Sequence, residues 1–318
     1  MTGRTMVVAL GGNALAPAGE RGTIASQFRH TRESLAPIVD FAREGWRIAI
    51  VHGNGPQVGD SLARNELAAA EVEPLPLGVL VAETAGWIGY MIQQSLQNAL
   101  ERARIARPVV TLMTQTLVAP DDPRLAKPTK PIGHELTPER RSALERRGEA
   151  VGKDKAGRWR RLAASPVPID IVEAPLVRRL VESGTIVVAA GGGGPPVYRD
   201  PVLRLEGVEA VVDKDRSAAI LARELGAELL LILTDVDAAQ RDYGTDRAQP
   251  IRRMSTAEAE ILMREGQFAD GSMRPKVEAA IAFVRGGGGG HRAVIAALGS
   301  GLAAIRGETG TTIMDGER

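Results

Sequence analysis

Six short, mainly aliphatic runs punctuate the chain at Met6–Leu10, Ile48–Val51, Val109–Met113, Ile186–Ala189, Leu229–Leu233 and Val294–Leu298. None alternates apolar with polar positions, so each reads as a strand buried on both faces, and each stops at Gly, Thr or another small residue. Between them, Phe28–Glu44, Val79–Arg104, Leu176–Glu182, Ser217–Leu225 and Lys276–Val284 read as helices. Strand and helix alternate along almost the whole chain. That pattern predicts an α/β fold with a doubly wound, mainly parallel sheet and ligands at the carboxyl ends of its strands.

Residues 119–170 interrupt the rhythm. Pro120, Pro123, Pro128, Pro131, Pro138, Pro166 and Pro168 break up a segment dense in Lys and Arg, which is expected to be an inserted lid or a solvated surface excursion. The Gly286–Gly290 run reads as a flexible connection from helix to strand.

Composition narrows the function. Aromatics make up only 3% of the 318 residues, so aliphatic side chains must fill the core. Forty Lys and Arg against 39 Asp and Glu leave a net charge of +1, which argues against a nucleic-acid or membrane partner; any anion site must be local. There is no cysteine, hence no disulfide, thiolate nucleophile or Cys-ligated zinc. The apolar run at Met6 is too short for a signal peptide and no later run could span a bilayer, so a cytoplasmic location is expected.

Three glycine clusters directly follow predicted strands: Gly11-Gly12-Asn13, Gly53-Asn54-Gly55 and Gly191 to Gly194. Glycine lets backbone N–H groups approach an anion, and a helix beginning just beyond adds its positive end. One cluster would be a tight turn. Three at equivalent strand ends point to phosphate. Gly148 to Lys153 fails as a Walker loop because its spacing is one residue short and Asp154 stands where a hydroxyl is needed. Gly53 to Gly59 carries one residue too many for a dinucleotide fingerprint, which leaves a nicotinamide oxidoreductase as a weak alternative.

Charged residues complete the chemistry. Asp213-Lys214-Asp215 places a lysine between two carboxylates just before a helix, and Lys276 opens another helix after Gly and Pro. Phosphoryl transfer needs cations over the migrating oxygens and a carboxylate to hold them, a set that Lys214, Asp215 and Lys276 supply. The four histidines show no metal-ligand spacing, so no protein-held metal is expected, and His52 reads as a structural hydrogen-bonder.

Taken in order, these stretches resemble the carbamate kinases, a branch of the amino acid kinase superfamily. The resemblance rests on Ala9-Leu-Gly-Gly-Asn-Ala-Leu15, His52-Gly-Asn-Gly-Pro-Gln-Val-Gly59, Pro128-Thr-Lys-Pro-Ile-Gly133, Trp159-Arg-Arg161 with Ser165-Pro166, Gly191 to Gly194, Gly207 to Asp215, Ile232 to Val236 and Gly271 to Ala280. It implies a three-layer αβα sandwich, usually homodimeric. An acceptor lobe (1–118 and 171–206), a protruding lid (119–170) and a nucleotide lobe (207–318) would make up the chain. It implies reversible phosphoryl transfer between ATP and carbamate, giving ADP and carbamoyl phosphate; Mg2+ on the phosphates of the nucleotide is expected from the chemistry of that transfer. Gly11, Gly12, Asn13, Gly53, Asn54, Gly55, Gly192 and Gly193 would cradle phosphoryl group and acceptor. Lys130, Lys214 and Lys276 would supply charge, Asp215 would orient the lysines, and Thr234, Asp235 and Met273 would join Lys214 and Lys276 on the nucleotide side. Carbamate is already an oxyanion, so no general base is required. Four features depart from the family's usual pattern: His134-Glu135-Leu136, Pro195, Arg274, and Gln240 where an aromatic is common. A kinase for another small oxyanion and a non-catalytic nucleotide sensor are the competing readings.

Overall fold

The computed structural model describes residues 3–12, 15, 22–154, 156–269, 272–287 and 290–315; Asn13 and Gly271 lie outside the described residues. Eight strands form one sheet: β1 (Thr5–Leu10), β2 (Arg47–His52), β3 (Val109–Thr111), β4 (Ile186–Val188), β5 (Leu229–Thr234), β6 (Arg253–Ser255), β7 (Arg292–Ala297) and β8 (Thr311–Met314). Their order is β6-β8-β7-β5-β1-β2-β4-β3, parallel except where β8 returns against β7. The six aliphatic runs thus occupy adjacent places, with β1 at the centre in register with β5 (Met6↔Leu229) and β2 (Met6↔Ile48).

The doubly apolar runs are explained by helices on both faces. These are α1 (Ile24–Ser34), α2 (Ala36–Arg43), α3 (Gly55–Ala68), α4 (Leu77–Arg102), α5 (Pro138–Arg146), α6 (Ala174–Glu182), α7 (Lys214–Glu224), α8 (Thr256–Arg264), α9 (Met273–Gly286) and α10 (Gly301–Ile305). Met6, Val8 and Leu10 share one core with Phe41 of α2 and Ile88 and Met91 of α4. Val7 and Ala9 face the other, with Val177 of α6, Leu221 of α7 and Phe283 of α9. The result is the expected three-layer sandwich. Among the described residues, no helix is long and apolar enough to cross a membrane.

Three expectations need correction. The single helix over 28–44 is two, joined at Leu35, because Pro37 lacks an N–H and its ring excludes the carbonyl a turn earlier. The helices expected from Ser217 and Lys276 each begin three residues sooner, so Lys214 opens α7 and Lys276 closes the first turn of α9 instead of opening it. Strands β6 and β8 went unrecognised, being short and rich in Ser and Thr; Thr311 is buried there and donates to Ile251 O at 2.6 Å.

Residues 119–170 are more ordered than their prolines suggest. Lys130–Ile132, Trp159–Ala163 and Val151–Lys153 form an antiparallel sheet, with α5 beside it. Pro168–Ile171 leaves this unit to pair with Thr116–Val118 in a separate four-stranded sheet. A small apolar cluster seats the lid: Ile132 and Ala163 pack with Val58 and Leu62 of α3, with Leu80 of α4, and with Val211. Around it Glu66 takes Arg140 at 2.6 Å and Arg161 at 3.1 Å, and His134 meets Asp60 at 2.7 Å.

Candidate active site

The carboxyl ends of β1, β2 and β5 open onto the amino ends of α3, α7 and α9. Main-chain bonds carry the strand register into the glycine loops, from Gly11 N to Leu233 O at 3.1 Å and from Gly53 N to Leu10 O at 3.0 Å. α3 starts at Gly55 with Pro56 in its first turn and no side-chain cap, so its positive end is directed to whatever lies before it. The third loop needs its glycines for shape. Gly192, Gly193 and Gly194 have φ of 67°, 93° and 84°, and a Cβ on Gly192 would lie 2.3 Å from Asn54 Nδ2. Gly193 O is held by Thr116 at 2.7 Å and Ser217 at 2.8 Å.

Two chambers meet here. The larger, of about 350 Å3, is lined by Gly11, Thr234, Asp235, Tyr243, Phe268 and Met273 among others. The smaller, of about 190 Å3, is lined by Gly53, Asn54, Gly55, Gly192, Lys130, Asp213 and Asp215, with Val58, Ile132 and Val211 closing it. Gly12, Lys214 and Lys276 belong to both walls. Of the residues expected around the acceptor, Gly11 faces the larger chamber, and Gly193 lies behind the wall in its structural turn.

The charged groups form a linked set. Asp215 receives Lys214 through Oδ1 at 2.6 Å and Lys276 through Oδ2 at 3.3 Å, while Ser272 O steadies Lys276 at 3.2 Å. Asp213 caps α7 with Oδ1, at 3.0 Å from Asp215 N, and its Oδ2 takes Lys130 of the lid at 3.2 Å. Burial pushes the Asp213 carboxyl up, but Lys130, Lys214 and Lys276 together outweigh this and hold it well below the usual carboxylate range. Burial also pushes the Lys214 ammonium down, with Lys276 adding to the effect and Asp215 opposing it. Three ammoniums against two carboxylates leave one positive charge at the junction of the chambers.

Sequence reasoning gave Asp213 no separate role, although an Asp directly before a helix is itself a cap signal. It also missed the aromatic wall of the larger chamber. Gln240 does line that wall, but Tyr243 and Phe268 bring rings to it from a turn and from the segment before α9. Among the described residues, no group of three or more His, Asp or Glu is arranged to hold a metal ion.

His52 takes no part in this set. It is fully buried, and Nδ1 contacts Gly53 O at 3.0 Å. Burial pushes its pKa down to about 4, against hydrogen bonds to the Gly53 and Ala85 backbone that raise it. An unfolded chain therefore takes up a proton below about 6.5 that the folded chain refuses, so stability falls as pH drops from 6.5 toward 4. From pH 7.5 to 5 this costs about 2 kcal/mol. Urea unfolding of the wild type and His52→Asn at both pH values should show this loss only with histidine present, and equal losses would refute it.

The chain matches the amino acid kinase family model over residues 4–297. It is 43% identical to a carbamate kinase of Pyrococcus horikoshii, over 97% of this chain and 98% of that one. A carbamate kinase of Clostridium perfringens is also 43% identical, covering 97% and 99%. Among solved structures, carbamate kinase from Giardia lamblia bound to AMP-PNP superposes with a TM-score of 0.91 at 35% identity, covering 99% of both chains.

Proposed function

The chain belongs to the carbamate kinases of the amino acid kinase family, and from that membership we propose that it transfers a phosphoryl group reversibly between ATP and carbamate. The observation that carries this reading is the shared wall. Gly12, Lys214 and Lys276 stand between a chamber with aromatic sides, suited to a nucleotide, and a small chamber suited to the acceptor. A γ-phosphoryl group entering from the larger side would reach the two lysines where the acceptor oxyanion waits. The division into an acceptor lobe, a lid and a nucleotide lobe is part of the same proposal, supported by the position of Lys130 at the small chamber and of Thr234 and Met273 at the larger one.

The chemistry requires only positioning and charge. Carbamate attacks as an oxyanion, so no proton is removed from it, and the charge spread over the transferring oxygens is met by ammoniums and the positive ends of α3 and α7. Asp215 fixes Lys214 and Lys276 beforehand, so they need not reorganise during transfer. Both carboxylates of the junction are committed to lysines, so Mg2+ would arrive on the phosphates of the nucleotide. An acylated amino acid is a poorer acceptor: among the described residues lining the small chamber, Lys130, Lys214 and Lys276 are the only cations, and none is spare for a second carboxylate. A homodimer and a cytoplasmic location form part of the same reading, supported by the family and by the cysteine-free composition.

The test is ATP formation from ADP and Mg2+ with carbamoyl phosphate, acetyl phosphate or N-acetylglutamyl phosphate as donor. Carbamoyl phosphate should give the highest kcat/KM. No turnover with any donor, alongside normal ATP binding, would replace this reading with the nucleotide sensor.

A further inference from the structure

Three lysines face the junction, and only two of them are accounted for by Asp215. Its oxygens are taken by Lys214 at 2.6 Å and Lys276 at 3.3 Å. Lys130 comes from a different unit, the lid strand Lys130–Ile132, and reaches the site across a gap in sequence of more than eighty residues. A long, solvated ammonium has many rotamers and would spend little time over a particular phosphoryl oxygen unless something held it there.

The carboxylate of Asp213 is placed to do this. Its Oδ2 lies 3.2 Å from Lys130 Nζ, while Oδ1 accepts from the amide of Asp215 at 3.0 Å and from that of Arg216 at 3.4 Å. The capping bonds fix the carboxylate to the first turn of α7, the turn that carries Lys214 and Asp215. A main-chain bond from Val211 N to Ala164 O, at 3.0 Å, ties the approach to α7 to the end of the lid strand Trp159–Ala163. The side chain of Val211 packs with Ile132 and Ala163 of the lid. The lid is therefore joined to the segment that opens α7 by apolar packing, by a backbone bond and by an ion pair, and of these only the ion pair places a charged side chain of the lid in the acceptor chamber.

We infer that Asp213 is a positioning residue for phosphoryl transfer: its carboxylate, anchored as the cap of α7, holds the lid's Lys130 over the acceptor chamber beside Lys214 and Lys276. The inference rests on the phosphotransferase reading. It adds that lid placement and the lysine pair on α7 and α9 are set by one short acidic segment, with Asp215 aligning the fixed cations and Asp213 the cation carried in by the lid. Asp213 touches no reacting atom in this role; it acts through Lys130.

Asp213→Asn separates this from a purely structural role, because asparagine caps a helix as well as aspartate but carries no charge for Lys130. In Asp213→Asn, α7 should keep its hydrogen-exchange protection and Tm should stay close to wild type. The amides of Lys130 and Ile132 in the lid strand should exchange about tenfold faster. kcat for ATP formation from carbamoyl phosphate should fall about tenfold or more, with Kd for ADP changed less than about twofold. Lys130→Ala should lower kcat at least as far, and Lys130→Ala/Asp213→Asn should be no slower than Lys130→Ala alone, since both changes remove one interaction. Losses that multiply in the double variant, or an Asp213→Asn enzyme with wild-type kcat, would overturn the inference. If the wild type shows no turnover with any acyl phosphate, the phosphotransferase reading fails. Hydrogen exchange at 130–132 then still decides the Asp213 contact, with unchanged exchange in both single variants overturning it.

Discussion

Replacing Lys214 or Lys276 by alanine is expected to lower kcat for ATP formation by about a hundredfold or more, the largest loss foreseen for any single side chain here. Both ammoniums sit in the wall common to the two chambers, which the proposed transfer path crosses. Each is already oriented by Asp215, at 2.6 Å and 3.3 Å, so its field is in place before charge develops on the transferring oxygens. Removing a preorganised partner of this kind typically costs about 3 to 4 kcal/mol. A second effect adds to it: Asp215 is buried, and with one lysine gone its charge is left half-compensated next to incoming phosphates. Asp215→Asn should also depress kcat, by releasing both lysines at once. Steady-state kinetics with carbamoyl phosphate and ADP, beside a Tm check on each variant, test this directly. Folded variants of both lysines that turn over at near wild-type rates would remove these residues from the chemistry.

Gly59→Ala is expected to be nearly as damaging, although Gly59 is a full turn into α3 and not among the residues that line either of the two chambers. A Cβ there would come within 1.9 Å of Gly133 Cα and 2.6 Å of Gly133 N, far inside contact distance and against backbone that cannot rotate away. Gly133 directly follows the lid strand bearing Lys130, so the methyl must push that strand off α3. Displacement of a catalytic group by about 1 Å can cost about a hundredfold, and a loss of that order in kcat is expected. Nucleotide binding should change little, because the larger chamber draws none of its named residues from the lid. The apolar seat of Ile132, Ala163, Val58 and Leu62 and the Glu66 pairs with Arg140 and Arg161 would be strained together. Faster exchange across 130–132 and 159–163 should accompany the loss. Wild-type kcat in this variant would show that lid seating does not govern turnover.

The two substitutions draw on different levels of information. Lys214, Asp215 and Lys276 could be picked out from the sequence because a lysine between two carboxylates just before a helix, and a lysine at a helix start after glycine and proline, are local patterns. The six central strands were legible for a similar reason: a strand covered by helices on both faces must be apolar at every position, and such runs stand out without any knowledge of partners. Helix α4 and the glycine turn at 191–194 likewise declare themselves through composition alone. Strands β6 and β8 did not, because β8 is held by β7 and β6 in turn by β8, with a threonine hydroxyl bonding to distant backbone, as Thr311 does with Ile251 O.

The remaining features depend on contacts between residues far apart in the chain, which no local pattern encodes. The lid's prolines suggested an irregular excursion, yet its strands pair with one another and its apolar side chains find α3, α4 and Val211. Gly59 read as one residue of a failed dinucleotide fingerprint, and its role as the point of closest approach to the lid exists only once Gly133 is beside it. Gln240 suggested a missing aromatic, whereas Tyr243 and Phe268 reach the same wall from neighbouring segments. Asp213 shows the division most clearly. Its place before α7 announces a cap, and that is a local bond of the backbone; its bond to Lys130 spans two units, and only the packing of the lid against the sandwich brings those charges within 3.2 Å.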